Sequence, residues 1–255
     1  MIPVNLFTSC IRFSINHYKH LCYLHEIGFL HHQELVDSGC FVVKILTQGT
    51  SRGYEGNESE NPTHLPISAP AMEVIWSKLR EIIDIEQTIF VDFGCGTGFA
   101  LLSAMTIPLK GIVGVDLHKK SVEFAVSNTS AFGTQSHAAC TNVEVHCADM
   151  LGFQLPQCNQ MVLFMYEPLW TVPFAEAHDI YQGVLIAAKQ KCSGTLIVAY
   201  VFAGHYGGNA LDALKSAAVG GELISKHPYS SLHFGVQDHV FYYKIPTRSD
   251  RAKEN

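Results

Sequence analysis

Charge is scarce in this chain. Asp, Glu, Lys and Arg make up 16% of it, and 23 acids against 17 bases leave a formal net charge of -6. No cluster of five or more basic residues occurs. A nucleic-acid binder carries a basic footprint, so the balance argues against RNA or DNA as substrate, although a local basic patch can hide in an acidic chain. No apolar run reaches the ~18 residues of a membrane span. Eight cysteines (Cys10, Cys22, Cys40, Cys95, Cys140, Cys147, Cys158, Cys192) form no Cys-x-x-Cys pair and no regular spacing. That argues against paired zinc knuckles and a disulfide framework. Cys95 falls in a glycine-rich turn and Cys147 in an apolar strand, so the expectation is reduced, buried thiols in a cytoplasmic protein. No internal repeat occurs, and no low-complexity tract beyond the charged tail.

What is present is an ordinary globular composition, 47% hydrophobic over 255 residues. That is enough for one α/β domain and an appendage. Residues 1–67 read as an N-terminal helical segment followed by a lid or linker, 68–246 as the main domain, and 247–255 as a charged tail. The first 25 residues hold Arg12 and Lys19 but no acid, the pattern of an organelle transit peptide or of an amphipathic helix. His17, His20, Cys22 and His25 invite a zinc reading. Structural zinc draws its ligands from separated elements, so a helical appendage fits better and no metal is expected. The Gly-, Ser- and Pro-rich linker offers Thr50, Arg52 and Tyr54 as lid residues.

The main domain is organised around Ile89-Phe90-Val91-Asp92-Phe93-Gly94-Cys95-Gly96-Thr97-Gly98. A buried strand ends in an acid, three alternating glycines follow, and helix-compatible residues resume. Glycine is required where φ is positive or where a ligand approaches the backbone too closely for a Cβ. A second strand, Gly111 to Asp116, also ends in an acid. Ligands of open α/β sheets bind outside the carboxyl ends of the strands, where Asp116 can accept from both hydroxyls of a ribose. A dinucleotide turn would read Gly-x-Gly-x-x-Gly. Here the run is Asp-x-Gly-x-Gly-x-Gly, whose leading acid suits an ammonium and repels a phosphate.

This run resembles the first motif of the class I (Rossmann-like) S-adenosylmethionine-dependent methyltransferases. The resemblance covers about residues 68–245 and implies a doubly wound, mostly parallel seven-stranded α/β sheet with the N-terminal helical appendage. It implies S-adenosylmethionine as cofactor, with Asp92, Gly94, Cys95, Gly96 and Gly98 at the methionine half, and Asp116 at the ribose with Leu117 beside it. Asp149 and Met150, after the third strand Val143–Cys147, fall where an acid meets the adenine amine and its neighbour covers the ring.

The fourth strand, Met161–Tyr166, runs into Glu167-Pro168-Leu169-Trp170. In the amino-methylating branch of the family this strand ends in Asn/Asp-Pro-Pro-aromatic. Glu167, Tyr166 and Trp170 are therefore the catalytic candidates, with Tyr166 also touching cofactor. Glu in place of Asn or Asp, and Leu in place of the second Pro, weaken a nucleobase reading. The expected reaction is N-methylation of a lysine-type amine on a protein. The alternatives are an RNA or small-molecule acceptor, or a non-catalytic cofactor-binding subunit. His205, in the loop after the fifth strand, is a further proton acceptor. No membrane partner is expected, and the sequence leaves the oligomeric state open.

Overall fold

The computed structural model describes residues 67, 69–134, 138–169, 171–202, 209–218, 220–230 and 237–247. The expectations placed on residues 1–66, on Trp170, on His205 and on the tail from 248 lie outside these.

Helix α1 (Ala69–Ile82) forms where Met72, Ile75 and Leu79 recur on one face, and all three are fully buried. It leads through a one-turn 3-10 helix into β1 (Thr88–Phe93). The chain then alternates: α2 (Phe99–Met105), β2 (Gly111–Asp116), α3 (Lys119–Gly133), β3 (Val143–Cys147), β4 (Cys158–Tyr166), α4 (Phe174–Lys191) and β5 (Cys192–Phe202). Helix α5 (Asn209–Ala217) precedes the closing strands β6 (Glu222–Ser230) and β7 (Gln237–Ile245).

The seven strands form one sheet in the order β3-β2-β1-β4-β5-β7-β6. The first five are parallel; β7 runs antiparallel to β5, and β6 antiparallel to β7. The chain winds outward from β1 to β3, then crosses to the other side of β1 for β4. Such a reversal leaves a crevice outside the carboxyl ends of β1 and β4, where open α/β sheets bind ligands.

Side chains alternate between the two faces of a strand, and each face carries its own core. Ile89, Val91 and Phe93 meet Tyr181, Val184 and Leu185 of α4 and Leu211 and Leu214 of α5. Phe90, two residues from Asp92, faces the opposite core of α1, α2 and α3. There Trp76 and Phe164 flank its ring at 5.0 and 5.5 Å. Trp76 also donates from Nε1 to Ser103 Oγ at 3.0 Å, tying α1 to α2.

The seven-stranded, mostly parallel sheet expected from the sequence is present. Several strands are longer than their apolar runs suggest. β4 begins at Cys158, β5 extends to Phe202, and β6 continues through Pro228 to Ser230. Proline is tolerated there because β6 is an edge strand. One expectation is corrected. β3 is the opposite edge, only half covered, and Cys147 at its end is exposed rather than buried.

Candidate active site

The glycine turn follows directly from β1. Gly94, Gly96 and Gly98 have φ of 80°, 53° and 89°, which residues with a Cβ adopt only with strain. A Cβ on Gly98 would also lie 3.0 Å from Ala125 Cβ of α3, and one on Gly94 would lie 3.0 Å from Pro168 Cβ. The second contact brings the tip of β4 against the turn at the reversal point of the sheet. The Gly94 and Cys95 N–H groups donate to Val115 O at 2.8 and 3.2 Å, fixing the turn to the end of β2.

Asp116 completes the cradle. Its Oδ2 accepts from the Gly96 N–H at 2.9 Å and its Oδ1 from the His118 N–H at 2.8 Å. A carboxylate has about four acceptor positions, so these two bonds orient it and leave it able to accept more. Asp92 stands beside it on the same face of the sheet, 2% exposed. Burial, and then the nearby Asp116 charge, push the Asp92 carboxyl well above the usual range. Cys95 is buried too, and burial followed by the same two acids pushes its thiol far up. It packs against Gly114 as a filler of the turn, not as a nucleophile.

At the tip of β4, Glu167 takes φ of 41° although it is not glycine, and it is 3% exposed. Such strain is held in place by surrounding structure and concentrates at functional sites. The carboxylate acts on two buried phenols of the α4 and β5 core, Tyr181 and Tyr200, whose rings meet edge to face at 6.3 Å. Burial raises both phenols far above the usual tyrosine range, and the Glu167 charge adds to the rise in each. They therefore remain neutral hydroxyls at any working pH.

No family model matches the chain. A ribosomal protein L11 methyltransferase from Hamiltonella defensa is 29% identical over 55 residues, 22% of this chain and 18% of that relative. The chain thus matches less than a fifth of that relative's length. Among solved structures, magnesium protoporphyrin IX methyltransferase from Synechocystis, with S-adenosylmethionine bound, superposes at a TM-score of 0.52. The identity is 13%, covering 69% of this chain and 79% of that one. A protein from Pyrococcus horikoshii assigned as an RNA methyltransferase superposes at 0.53, with 12% identity, covering 79% and 96%. The fold is that of the class I S-adenosylmethionine-dependent methyltransferases.

Within this methyltransferase fold the sequence-derived residues divide into three groups. Asp92, Gly94, Cys95, Gly96, Gly98 and Asp116 converge on one turn, with Tyr166 and Glu167 across from it through Pro168. Leu117 and Asp149 lie further along the same sheet edge and are both exposed, Leu117 at 65%. Asp149 accepts from the Leu151 N–H at 2.8 Å, which closes the turn after β3, and Met150 packs on the α4-side core. Trp170 lies outside the described residues. Tyr181 and Tyr200 were not among the sequence candidates. Their signal was a phenol set among apolar residues on the inner face of a helix and in the middle of a fully apolar strand.

Proposed function

We propose that the protein is an S-adenosylmethionine-dependent methyltransferase acting on a lysine-type amine of a protein. One observation carries the reading: Glu167, buried and held at positive φ, sits at the tip of β4, and the next residue packs against Gly94 of the glycine turn. An acceptor-side acid and a cofactor-side turn thus adjoin.

The residues present fit the cofactor. The turn keeps three positions free of side chains, Asp116 retains acceptor capacity for ribose hydroxyls, and Asp92 suits an ammonium. S-adenosylmethionine, when bound, supplies a methyl group already activated by its sulfonium. What remains for the chain is alignment, exclusion of water and proton removal. A lysine-type amine must lose its proton before it can attack. Glu167 can take that proton and orient the nitrogen, while Tyr181 and Tyr200 hold neutral hydroxyls on the buried side of the carboxylate. A net charge of -6 without a basic cluster supports a protein acceptor over RNA.

Calorimetric titration with S-adenosylmethionine, S-adenosylhomocysteine and NAD, followed by labelled-methyl transfer into a cell lysate, tests both halves. Micromolar binding of the two sulfur compounds but not NAD is expected, weakened at least tenfold by Asp116→Ala. Label should appear in protein as methyl-lysine and fall at least a hundredfold with Glu167→Gln at unchanged cofactor affinity. Folded protein that binds neither sulfur compound removes the cofactor assignment. Label in RNA or in small molecules instead removes the acceptor assignment alone.

A further inference from the structure

The geometry points to an intramolecular disulfide site at Cys158 and Cys192, on the sheet edge opposite the glycine turn. The two cysteines begin β4 and β5 and are Cα partners in the parallel ladder between them. Neighbouring strands lie ~4.8 Å apart, which falls inside the roughly 4.4–6.8 Å between Cα atoms of bridged cysteines. Both side chains enter the same core, Cys158 at 8% exposure and Cys192 at 1%.

The local backbone favours a small approach. The register slips between Cys158 and Gln160, where two steps along β4 pair with three along β5 from Cys192 to Thr195. A bulge of this kind bends the strand and frees one residue from the ladder. Cys192 Sγ meanwhile donates to Thr195 O at 3.2 Å and lies 3.5 Å from Asn159 O, so the thiol is already turned toward β4. The other described cysteines stand elsewhere: Cys95 against Gly114, Cys140 beside Asn142, Cys147 beside Leu117. Among the described residues no other two cysteines are ladder partners.

The oxidant is a low-molecular-weight disulfide such as oxidised glutathione. One cysteine thiolate attacks a sulfur of that reagent; a mixed disulfide forms, the reagent's S–S bond breaks, and one glutathione thiolate leaves. The second cysteine thiolate then attacks the protein sulfur of the mixed disulfide and expels the second glutathione. Two protein thiols lose two protons and two electrons, and one external disulfide becomes two thiols. Contact with Cys192 and burial push the Cys158 thiol up, while Lys110 opposes them. Exchange in the native chain is therefore slow, and the bridge is reached most directly during folding.

The full chain, unfolded in urea and refolded in a reduced/oxidised glutathione buffer, tests this. Remaining thiols are blocked and the peptides are mapped without reduction. A peptide linking Cys158 to Cys192 is expected as the main bridged species. The melting midpoint should rise by several degrees, as closing a loop of this length does, and dithiothreitol should reverse it. Affinity for S-adenosylhomocysteine should not change, because the bridge lies at the far end of β4. Cys158→Ser and Cys192→Ser should each abolish both the linked peptide and the shift. Refolded protein with both thiols free or singly glutathionylated, or with either cysteine bridged elsewhere, overturns the proposal. So does an oxidised wild type that melts where the reduced one does.

Discussion

At the scale of single residues, the tension in this molecule lies in Asp92. A carboxyl 2% exposed beside a second acid disfavours its own ionisation, first through burial and then through the Asp116 charge. The sign of the pH effect follows. Below the unfolded carboxyl value of about 3.9 both states are protonated and Asp92 contributes no pH dependence. Above it the unfolded chain releases the proton while the folded chain keeps it, so stability falls as pH rises toward the raised folded value. Asp92→Asn removes this loss. The variant should melt higher than wild type at pH 7, where burial and the Asp116 charge hold the Asp92 carboxyl above its usual range. The gap should close on titration toward pH 4. The same variant should bind S-adenosylmethionine about tenfold more weakly, because the carboxyl can ionise when the cofactor's ammonium arrives and an amide cannot. A variant less stable than wild type at pH 7 would show that Asp92 is ionised and partnered in the folded protein. Asp92 and Asp116 were legible in the sequence because both close short apolar runs before a turn. The setting of Glu167 was not legible, because its charge acts on Tyr181 and Tyr200, which only tertiary packing brings near it.

At the scale of elements, the glycine turn and its helix behave as one unit resting on β2. Gly114, in the middle of β2, leaves the space that Leu101 of α2 and Cys95 of the turn occupy. A Cβ there would lie 2.6 Å from Leu101 Cδ1 and 3.1 Å from Cys95 Sγ. The leucine tip can swing aside, but Cys95 is fixed between two glycines whose N–H groups are bonded to Val115 and Asp116. Gly114→Ala should therefore destabilise the protein by about 1–3 kcal/mol, as overpacking does. It should also loosen cofactor binding without touching a cofactor contact. Denaturant unfolding beside calorimetry checks both; an unchanged affinity in a destabilised variant would separate the turn from its support. Two parallel strands could be read closely from sequence because side-chain pattern is local: β2 and β3 were expected over Gly111–Asp116 and Val143–Cys147 and span those residues. Other strand ends escaped because ladder pairing, not side-chain pattern, decides them. Polar Asn159 and Gln160 extend β4, and the exposure of β3 follows from its place at the sheet edge.

At the scale of the whole molecule, the described residues build a core on each face of the sheet. Described residues between 67 and 245 pack both the face carrying α4 and α5 and the face carrying α1, α2 and α3, and Ile67, the first described residue, is itself 4% exposed. A seven-stranded sheet with a packed layer on each face is the architecture of an independently folding domain. We therefore expect a fragment spanning residues 67–247 to unfold in a single cooperative transition, with a midpoint within a few degrees of the full chain. It should retain S-adenosylhomocysteine affinity within about threefold, because Asp92, the glycine turn and Asp116 all lie inside it. Methyl transfer is the more demanding readout, since the lid residues Thr50, Arg52 and Tyr54 of the sequence reading lie outside it. Intact binding with lost transfer would assign the first 66 residues to the acceptor side. A fragment that binds a hydrophobic dye and melts without cooperativity would mean that those residues complete the fold, and the boundary at 67 would then fall inside a single domain.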